Sequence, residues 1–182
     1  MGKPTSIKDP IDSISQNLKI IDPVHAVIHD GQHYTANHYV TVGTATAVTV
    51  LITPPAAGSG RFVHFVAGVT TNNAGVFTFS EDPVTTGGTT LVSANNYRNE
   101  QVDHPDPVVL KHSVTVDAAS IGTVLETFIT ADASTNQFTV GGSNLQRNEW
   151  LLAGGKNYLM RFVADNASTR TVFNLTYYYR DH

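Results

Sequence analysis

The chain of 182 residues has no cysteine, and charged residues make up only 14% of it. Without thiols, neither a disulfide nor a thiolate metal site can form, so stability has to come from packing or from association of subunits. The absence of cysteine also fits assembly in a reducing cytoplasm. Residues 1–20 lack the apolar core of a signal peptide, and no apolar run approaches the length of a membrane span. The sequence therefore predicts a soluble protein with no membrane partner.

Positive charge is scarce as well. Lys and Arg number 11 against 15 Asp and Glu, which gives a formal net charge of −4 at pH 7. A chain without a basic surface is a poor match for nucleic acid, so none is expected as a partner. Thr, Val and Gly are abundant beside little Leu, Lys and Glu, which favours strands over helices, and the length suits one domain. The composition therefore predicts a single all-β domain.

The N-terminal arm, residues 1–23, is the place where a short helix is predicted. Asp9 offers an N-cap before Pro10, and Asp22-Pro23 ends the segment. Between them, apolar residues recur at spacings of three, four and three, which places them on one stripe of a helix. The stripe consists of Ile11, Ile14, Leu18 and Ile21. It either packs on its own domain or binds a neighbouring subunit or a larger surface, and the sequence leaves both interpretations open.

The strongest local turn signal follows directly, at Asp30-Gly31. A two-residue type I′ turn needs positive φ at both central positions, and Asp-Gly between two β-prone runs is a favoured sequence for it. We therefore predict a hairpin in which Ile28 pairs with His33. This hairpin opens the β domain, which is expected to span residues 24–182.

Histidines are the residues that come nearest to a metal cluster. In the predicted hairpin, His25 and His29 share one face, whereas His33 lies on the other face. The chain also has no His-x-His pair of the kind that a cupin-like metal site uses. Structural or surface roles are therefore favoured over metal binding, and no metal or other cofactor is expected.

The rest of the chain alternates strand patterns with Gly, Pro and Asn turns. Residues 61–70 are apolar on both faces, which suits the middle of a sandwich or an oligomer contact, and they are predicted to form a hairpin with residues 76–80. Further strand patterns lie at residues 39–53, 110–116, 125–129, 158–164 and 171–179. About ten short strands predict an antiparallel β-sandwich with jelly-roll or Greek-key connections, and an immunoglobulin-type sandwich is the next choice.

A long polar region, residues 84–107, interrupts this pattern. It contains Asn95, Asn96, Tyr97 and Arg98 in succession, a combination suited to hydrogen bonding with another chain. Long structured loops in compact domains are often functional. We therefore predict that these four residues contact a second subunit or another protein.

Catalytic patterns are weak throughout. Ser59 lacks the Gly-x-Ser-x-Gly elbow of a nucleophile, and Glu81 and Asp82 are adjacent, so along a strand they would point apart. We expect a strand-end role for this acidic pair and no enzymatic activity. Trp150 and the tyrosine run 177–179 are residue types of a sugar-stacking platform, although core and interface roles are favoured for them.

Beside these local patterns, an ordered succession of short motifs resembles the small head proteins of tailed bacteriophages. The motifs span residues 25–180, and each is weak alone. They are His25-x-x-Ile28-His29-x-Gly31-x-His33-Tyr34, Thr53-Pro54-Pro55, Phe77-x-Phe79-Ser80-Glu81, Gly88-Thr89-x-Leu91, Asn95-Asn96-x-Arg98-Asn99, Glu149-Trp150-x-Leu152 and Tyr158-x-x-Arg161. The resemblance implies a decoration, or cement, protein: a β-sandwich trimer bound to the outside of the phage head at junctions between capsomers. It implies no catalytic residues.

The resulting expectation is a structural virion protein, assembled in the host cytoplasm, whose partner is the major capsid protein. A homotrimer is expected, with residues 39–53 or 61–70 near the subunit contact, because a single sandwich buries two-sided apolar strands only at central positions. The alternative is a carbohydrate- or receptor-binding module of a head fibre or tail. An enzyme is the third choice.

Overall fold

The computed structural model describes residues 28, 30–97, 105–117, 119–130, 139–141 and 149–181. Within these ranges the chain forms fourteen strands. They are β1 (His33–Val42), β2 (Ala47–Thr53), β3 (Arg61–Thr71), β4 (Gly75–Glu81), β5 (Thr85–Thr86), β6 (Thr89–Thr90), β7 (Ala94–Asn95), β8 (Val109–His112), β9 (Thr115–Val116), β10 (Thr123–Thr130), β11 (Thr139–Gly141), β12 (Trp150–Leu152), β13 (Tyr158–Ala164) and β14 (Thr169–Asp181). Among the described residues, no helix has the length and hydropathy that a membrane crossing requires.

The strands form two antiparallel six-stranded sheets. The first sheet has the order β11-β3-β14-β1-β7, and β12 shares an edge of β3 with β11. The second sheet has the order β10-β4-β13-β2-β8-β6, and β5 and β9 form a separate pair. The two large sheets pack face to face, so the predicted all-β, antiparallel sandwich is confirmed.

The strand order is that of a jelly roll. The chain folds like one long hairpin whose arms pair from the outside inward, β1 with β14, β2 with β13, β3 with β12 and β4 with β10. The first and third of these pairs belong to the first sheet, whereas the second and fourth belong to the second sheet. Successive long strands therefore alternate between the sheets, as in the double Greek key of a jelly roll.

Strict side-chain alternation builds the core between the sheets. Along β14, Phe173, Leu175, Tyr177 and Tyr179 all point inward and are buried, as the sequence pattern predicts. Rings from the two sheets meet in the middle: Phe65 lies 5.8 Å from Phe79, and Phe77 lies 6.2 Å from Phe173, measured between centroids. Each such buried side chain contributes about 1.5–3 kcal/mol of transfer free energy. The core is therefore the main source of stability in a chain without disulfides.

The predicted hairpin before β1 is wrong at the residues that the structure describes. His33 pairs with Tyr178 of β14 and not with Ile28, and the His33 carbonyl accepts a hydrogen bond from Asn96 N–H at 2.9 Å. Ile28 instead accepts the Gly31 N–H at 3.0 Å, which closes a local turn. The physical reason is that both edges of β1 are occupied by distant strands: β14 pairs with all ten of its residues on one edge, and β7 pairs with Tyr34 and Thr35 on the other.

The predicted hairpin of residues 61–70 with residues 76–80 is also wrong. Both segments are strands, but β3 belongs to the first sheet and β4 to the second, so the turn between them crosses the sandwich. Gly75 sits where the chain enters the second sheet, and a Cβ built there would lie 2.4 Å from Cζ of Phe162. The close approach explains why this corner carries a glycine.

Candidate interaction surface

The outer face of the first sheet, formed by side chains of β1, β3, β12 and β14 that point away from the core, exposes large apolar groups. Tyr39 is 60% exposed, Phe62 42%, Val66 37% and Leu151 58%. The sequence pattern of β3 is apolar on both faces, and only one face is covered by the second sheet. The uncovered face is therefore the candidate interaction surface, because clustered exposed apolar groups mark contact sites.

A row of three rings, with a leucine at one end, crosses this surface. Leu151, His64, Tyr178 and His33 are register partners on four neighbouring strands. The Tyr178 ring stacks on His64 with centroids 4.5 Å apart and on His33 with centroids 6.3 Å apart. The Tyr178 hydroxyl donates to Glu149 at 2.6 Å, and Nδ1 of His64 contacts the same carboxylate oxygen. Burial lowers the pKa of His33, so its imidazole is neutral at neutral pH.

Below the ring row lies an area that we name the uncharged patch. It comprises three register rows: Val66, Thr176 and Thr35; Gly68, Asn174 and Asn37; Thr70, Val172 and Tyr39. None of these nine residues is ionisable near neutral pH, and a Cβ built at Gly68 would meet no atom within 4 Å, so the centre of the patch is open. Depletion of charged residues is typical of the centre of a protein–protein contact.

The Asn-rich loop borders this patch at the edge of β1. Asn95 donates from Nδ2 to the Gly31 carbonyl at 2.8 Å, which fixes the loop to the turn before β1. The Asn96 amide lies 2.7 Å from Nδ1 of His33 and accepts from the Thr35 hydroxyl at 3.2 Å. Both amides therefore hold the loop against its own domain, whereas the sequence predicts bonds to another chain.

The other predicted contact residues divide into two groups. Tyr97 is described, and its backbone N–H donates to Oδ1 of Asn95 at 2.8 Å. Arg98 and the N-terminal stripe of Ile11, Ile14, Leu18 and Ile21 lie outside the described residues. Their contact roles stay predictions, as do those of Asn95, Asn96 and Tyr97.

The aromatic residues weighed for sugar stacking lie mostly in the core. Tyr177 and Tyr179 are buried, and the Trp150 ring packs against Phe79 with centroids 5.6 Å apart. From the tyrosine run, Tyr178 points outward. The core role that the sequence favours is therefore the observed one for three of these four side chains.

The acidic pair at the end of β4 serves the fold, as predicted, but not with diverging side chains. Asp82 has φ of 56°, and this left-handed backbone turns its carboxylate toward the same partner as Glu81. Lys156 Nζ lies 2.5 Å from Glu81 and 3.0 Å from Asp82, and the Tyr158 hydroxyl donates to Glu81 at 3.0 Å. The hydrogen bond to Glu81, and after it the one to Asp82, raises the pKa of Lys156. The same bonds join the end of β4 to the turn before β13.

Neither a search for metal-binding groups nor a comparison with known proteins assigns a function to the chain. Within the ranges given above, no group of three or more His, Asp or Glu side chains is placed to hold a metal ion. Compared with protein families, with curated proteins and with solved structures, the chain shows no significant match. The functional argument therefore depends on the surfaces of this sandwich.

Proposed function

We propose that the chain is a structural virion protein, a decoration or cement protein that binds the outside of a phage head and stabilises contacts between major capsid subunits. The observation that carries the proposal is the outer face of the first sheet, with exposed Phe62 and, within the uncharged patch, exposed Tyr39 and Val66. A sandwich that leaves such a face uncovered gains stability by association. The ordered sequence motifs that resemble phage head proteins supply the class of partner.

The proposed assembly is a homotrimer in which the uncharged patch contributes to the subunit contact. A heterologous contact between identical chains closes into a ring when its rotation is a third of a turn, and three copies then present three equivalent attachment surfaces. Such a trimer gains avidity because, once one copy is bound, the other two bind at high effective concentration. A junction between three capsid subunits is a matching site.

The decisive experiment uses heads assembled from the major capsid protein without this chain. Purified protein is added, bound copies are counted by electron microscopy, and resistance of the heads to heat and dilution is compared with that of undecorated heads. We expect ordered density at capsomer junctions and heads that survive at higher temperature. Failure to bind, or binding that leaves resistance unchanged, would remove the cement role.

The second candidate is a carbohydrate- or receptor-binding module. The observation in its favour is the exposed Phe62 ring of β3, on the same outer face as the outward-facing Tyr178 of the adjacent strand. Aromatic faces of this kind stack on sugar rings. A glycan array separates the two proposals, since saturable binding of one glycan class favours the second and an empty array favours the first.

A further inference from the structure

A pocket of about 270 Å³ lies on the opposite side of the sandwich, on the outer face of the second sheet. It is lined by Ala47 and Thr49 of β2, by Arg161 of β13, and by Val114, Val116 and Ile121 of the segment that crosses over these strands. Pockets for drug-sized ligands begin at about 300 Å³. The space therefore suits one or two amino-acid side chains.

The walls of the pocket are fixed by contacts of their own. Val114 packs on Leu51 and Leu159 in a small apolar cluster on this face of the sheet. The Thr49 hydroxyl donates to the Val114 carbonyl at 2.9 Å, and the Ser80 hydroxyl donates to the Ile121 carbonyl at 2.6 Å. These bonds hold the crossing segment in place before any ligand arrives, which lowers the entropic cost of binding.

Arg161 is the charged side chain that lines this pocket. Its register partners are Thr49 on one side and Thr78 on the other, both neutral, and the Thr49 hydroxyl is already bonded to Val114. In the part of the chain that the structure describes, the Arg161 guanidinium makes no hydrogen bond and no ion pair. Among the described residues, the side-chain nitrogens and oxygens that are buried without a partner do not include those of Arg161, so its guanidinium is accessible to a ligand in the pocket. A guanidinium in this position favours a carboxylate, which it binds with two parallel hydrogen bonds.

We propose that this pocket binds the side chain of a glutamate or aspartate on a segment of a partner protein. The carboxylate pairs with the Arg161 guanidinium, and the methylene groups and a neighbouring apolar side chain lie against Val114, Val116 and Ile121. The volume accommodates a side chain of this size, and the charge is complementary. The site lies on the second sheet and is independent of the virion role and of the uncharged patch.

The test follows the side-chain Nε–Hε resonance of Arg161 by NMR during titration with N-acetyl-Val-Glu-Val-amide. The same peptide with Gln in place of Glu is the matched probe. We expect a saturable shift with the Glu peptide and at least tenfold weaker binding of the Gln peptide, because the amide cannot form the charged pair. Arg161→Met, which keeps the aliphatic stem, should weaken Glu-peptide binding by at least tenfold, whereas R170M, at an exposed arginine on the first sheet, should leave it unchanged.

Other outcomes would overturn the proposal. They are equal binding of both peptides, no shift at about 10 mM peptide, or an equally strong response to inorganic phosphate, which would indicate a general anion site. If Arg161→Met lowers the melting temperature by more than about 4 °C, the guanidinium is paired within its own chain and the pocket is not open to a partner. Arg161→Lys keeps the charge without the planar fork and tests the proposal should the Met variant fail to fold. It should bind the Glu peptide more weakly than wild type but still in preference to the Gln peptide.

Discussion

His38 of β1 and His112 of β8 stack across the two sheets, with ring centroids 4.3 Å apart and an angle of 25° between the ring planes. Burial lowers the pKa of His38, and the neighbouring His112 lowers it further. Nδ1 of His112 lies 3.0 Å from the Ser113 hydroxyl, which positions the second ring. The stack therefore joins the sheets in an environment that favours a neutral imidazole on His38.

Acid should destabilise the fold through this stack. The folded-state pKa of His38 is below the ordinary value of 6.5, so below pH 6.5 the unfolded chain takes up protons more readily. The contribution is complete above pH 6.5 and is lost as the pH falls through the folded-state pKa. His38→Phe keeps a ring and removes the titration, so its melting temperature should fall less than that of wild type between about pH 7 and about pH 5. An unchanged pH profile would assign the acid sensitivity to other groups.

Asp106 anchors the long polar region to the core. One carboxylate oxygen accepts the hydroxyls of Tyr177 and Ser93, and the other accepts the Val108 N–H at 2.8 Å. Burial and then the Asp106 charge raise the pKa of Tyr177, so the phenol remains a donor. Asp106→Ala should cost about 2–4 kcal/mol in urea unfolding, because buried donors lose a charged acceptor. Tyr177→Phe should cost less, and the double variant should cost less than the sum. Additive costs would contradict a shared network.

Gly68 of β3 and Gly75 of β4, the next strand along the chain, give a matched pair of variants. At Gly75, a new Cβ would lie 2.4 Å from Phe162 and 2.5 Å from the Val163 carbonyl. Gly75→Ala should therefore destabilise the domain by about 1–3 kcal/mol. Gly68→Ala meets no atom within 4 Å and should be neutral or stabilising by about 0.5 kcal/mol. Equal effects in thermal unfolding would mean that the turn after β3 relaxes to make room.

Much of this fold follows from local pattern, but its strand pairing does not. The alternation of Phe173, Leu175 and Tyr177 predicts a strand with one buried face, and that is observed. Both predicted hairpins are wrong, because a turn sequence such as Asp30-Gly31 fixes only a reversal of the chain. Pairing is decided by which distant strand buries the most surface, and sequence spacing contains no information about that choice.

The candidate surfaces also follow only in part from local sequence pattern. The two apolar faces of residues 61–70 predict the middle of a sandwich or an oligomer contact, and in the structure one face lies in the core whereas Phe62 and Val66 are exposed on the other. Asp106 carries only an Asp-Pro turn signal in the sequence, so its role as an anchor becomes visible only when Tyr177 lies beside it. Arg161 stands alone in an apolar strand, and this isolation is the one local signal that points to the pocket on the second sheet.

A charge in the uncharged patch should break the proposed trimer. Val66→Glu places a carboxylate in the uncharged patch, in the row next to the rings, where association would bury it without a partner. We expect the dissociation constant of the subunit contact to rise at least about 100-fold, which corresponds to about 2.7 kcal/mol. Light scattering, which measures the mass of the particle in solution, would detect the loss of the trimer. Ile129→Glu, at a residue that is 76% exposed on the second sheet, is the control and should remain trimeric. A trimer that survives Val66→Glu would place the contact elsewhere.

The N-terminal arm is expected to serve attachment more than folding. The buried apolar core that the structure describes begins at Tyr34, so a chain without residues 1–22 should still fold, with a melting temperature close to that of the full chain. Burying the stripe of Ile11, Ile14, Leu18 and Ile21 is worth about 1.5–3 kcal/mol per side chain before ordering costs, so its loss should weaken binding to heads at least tenfold, or about 1.4 kcal/mol. Ile14→Asp in the full chain is the matched variant and should weaken binding in the same direction. If the truncated chain unfolds, the stripe belongs to the core of its own domain. If it binds heads as tightly as the full chain, attachment takes place through the sandwich alone.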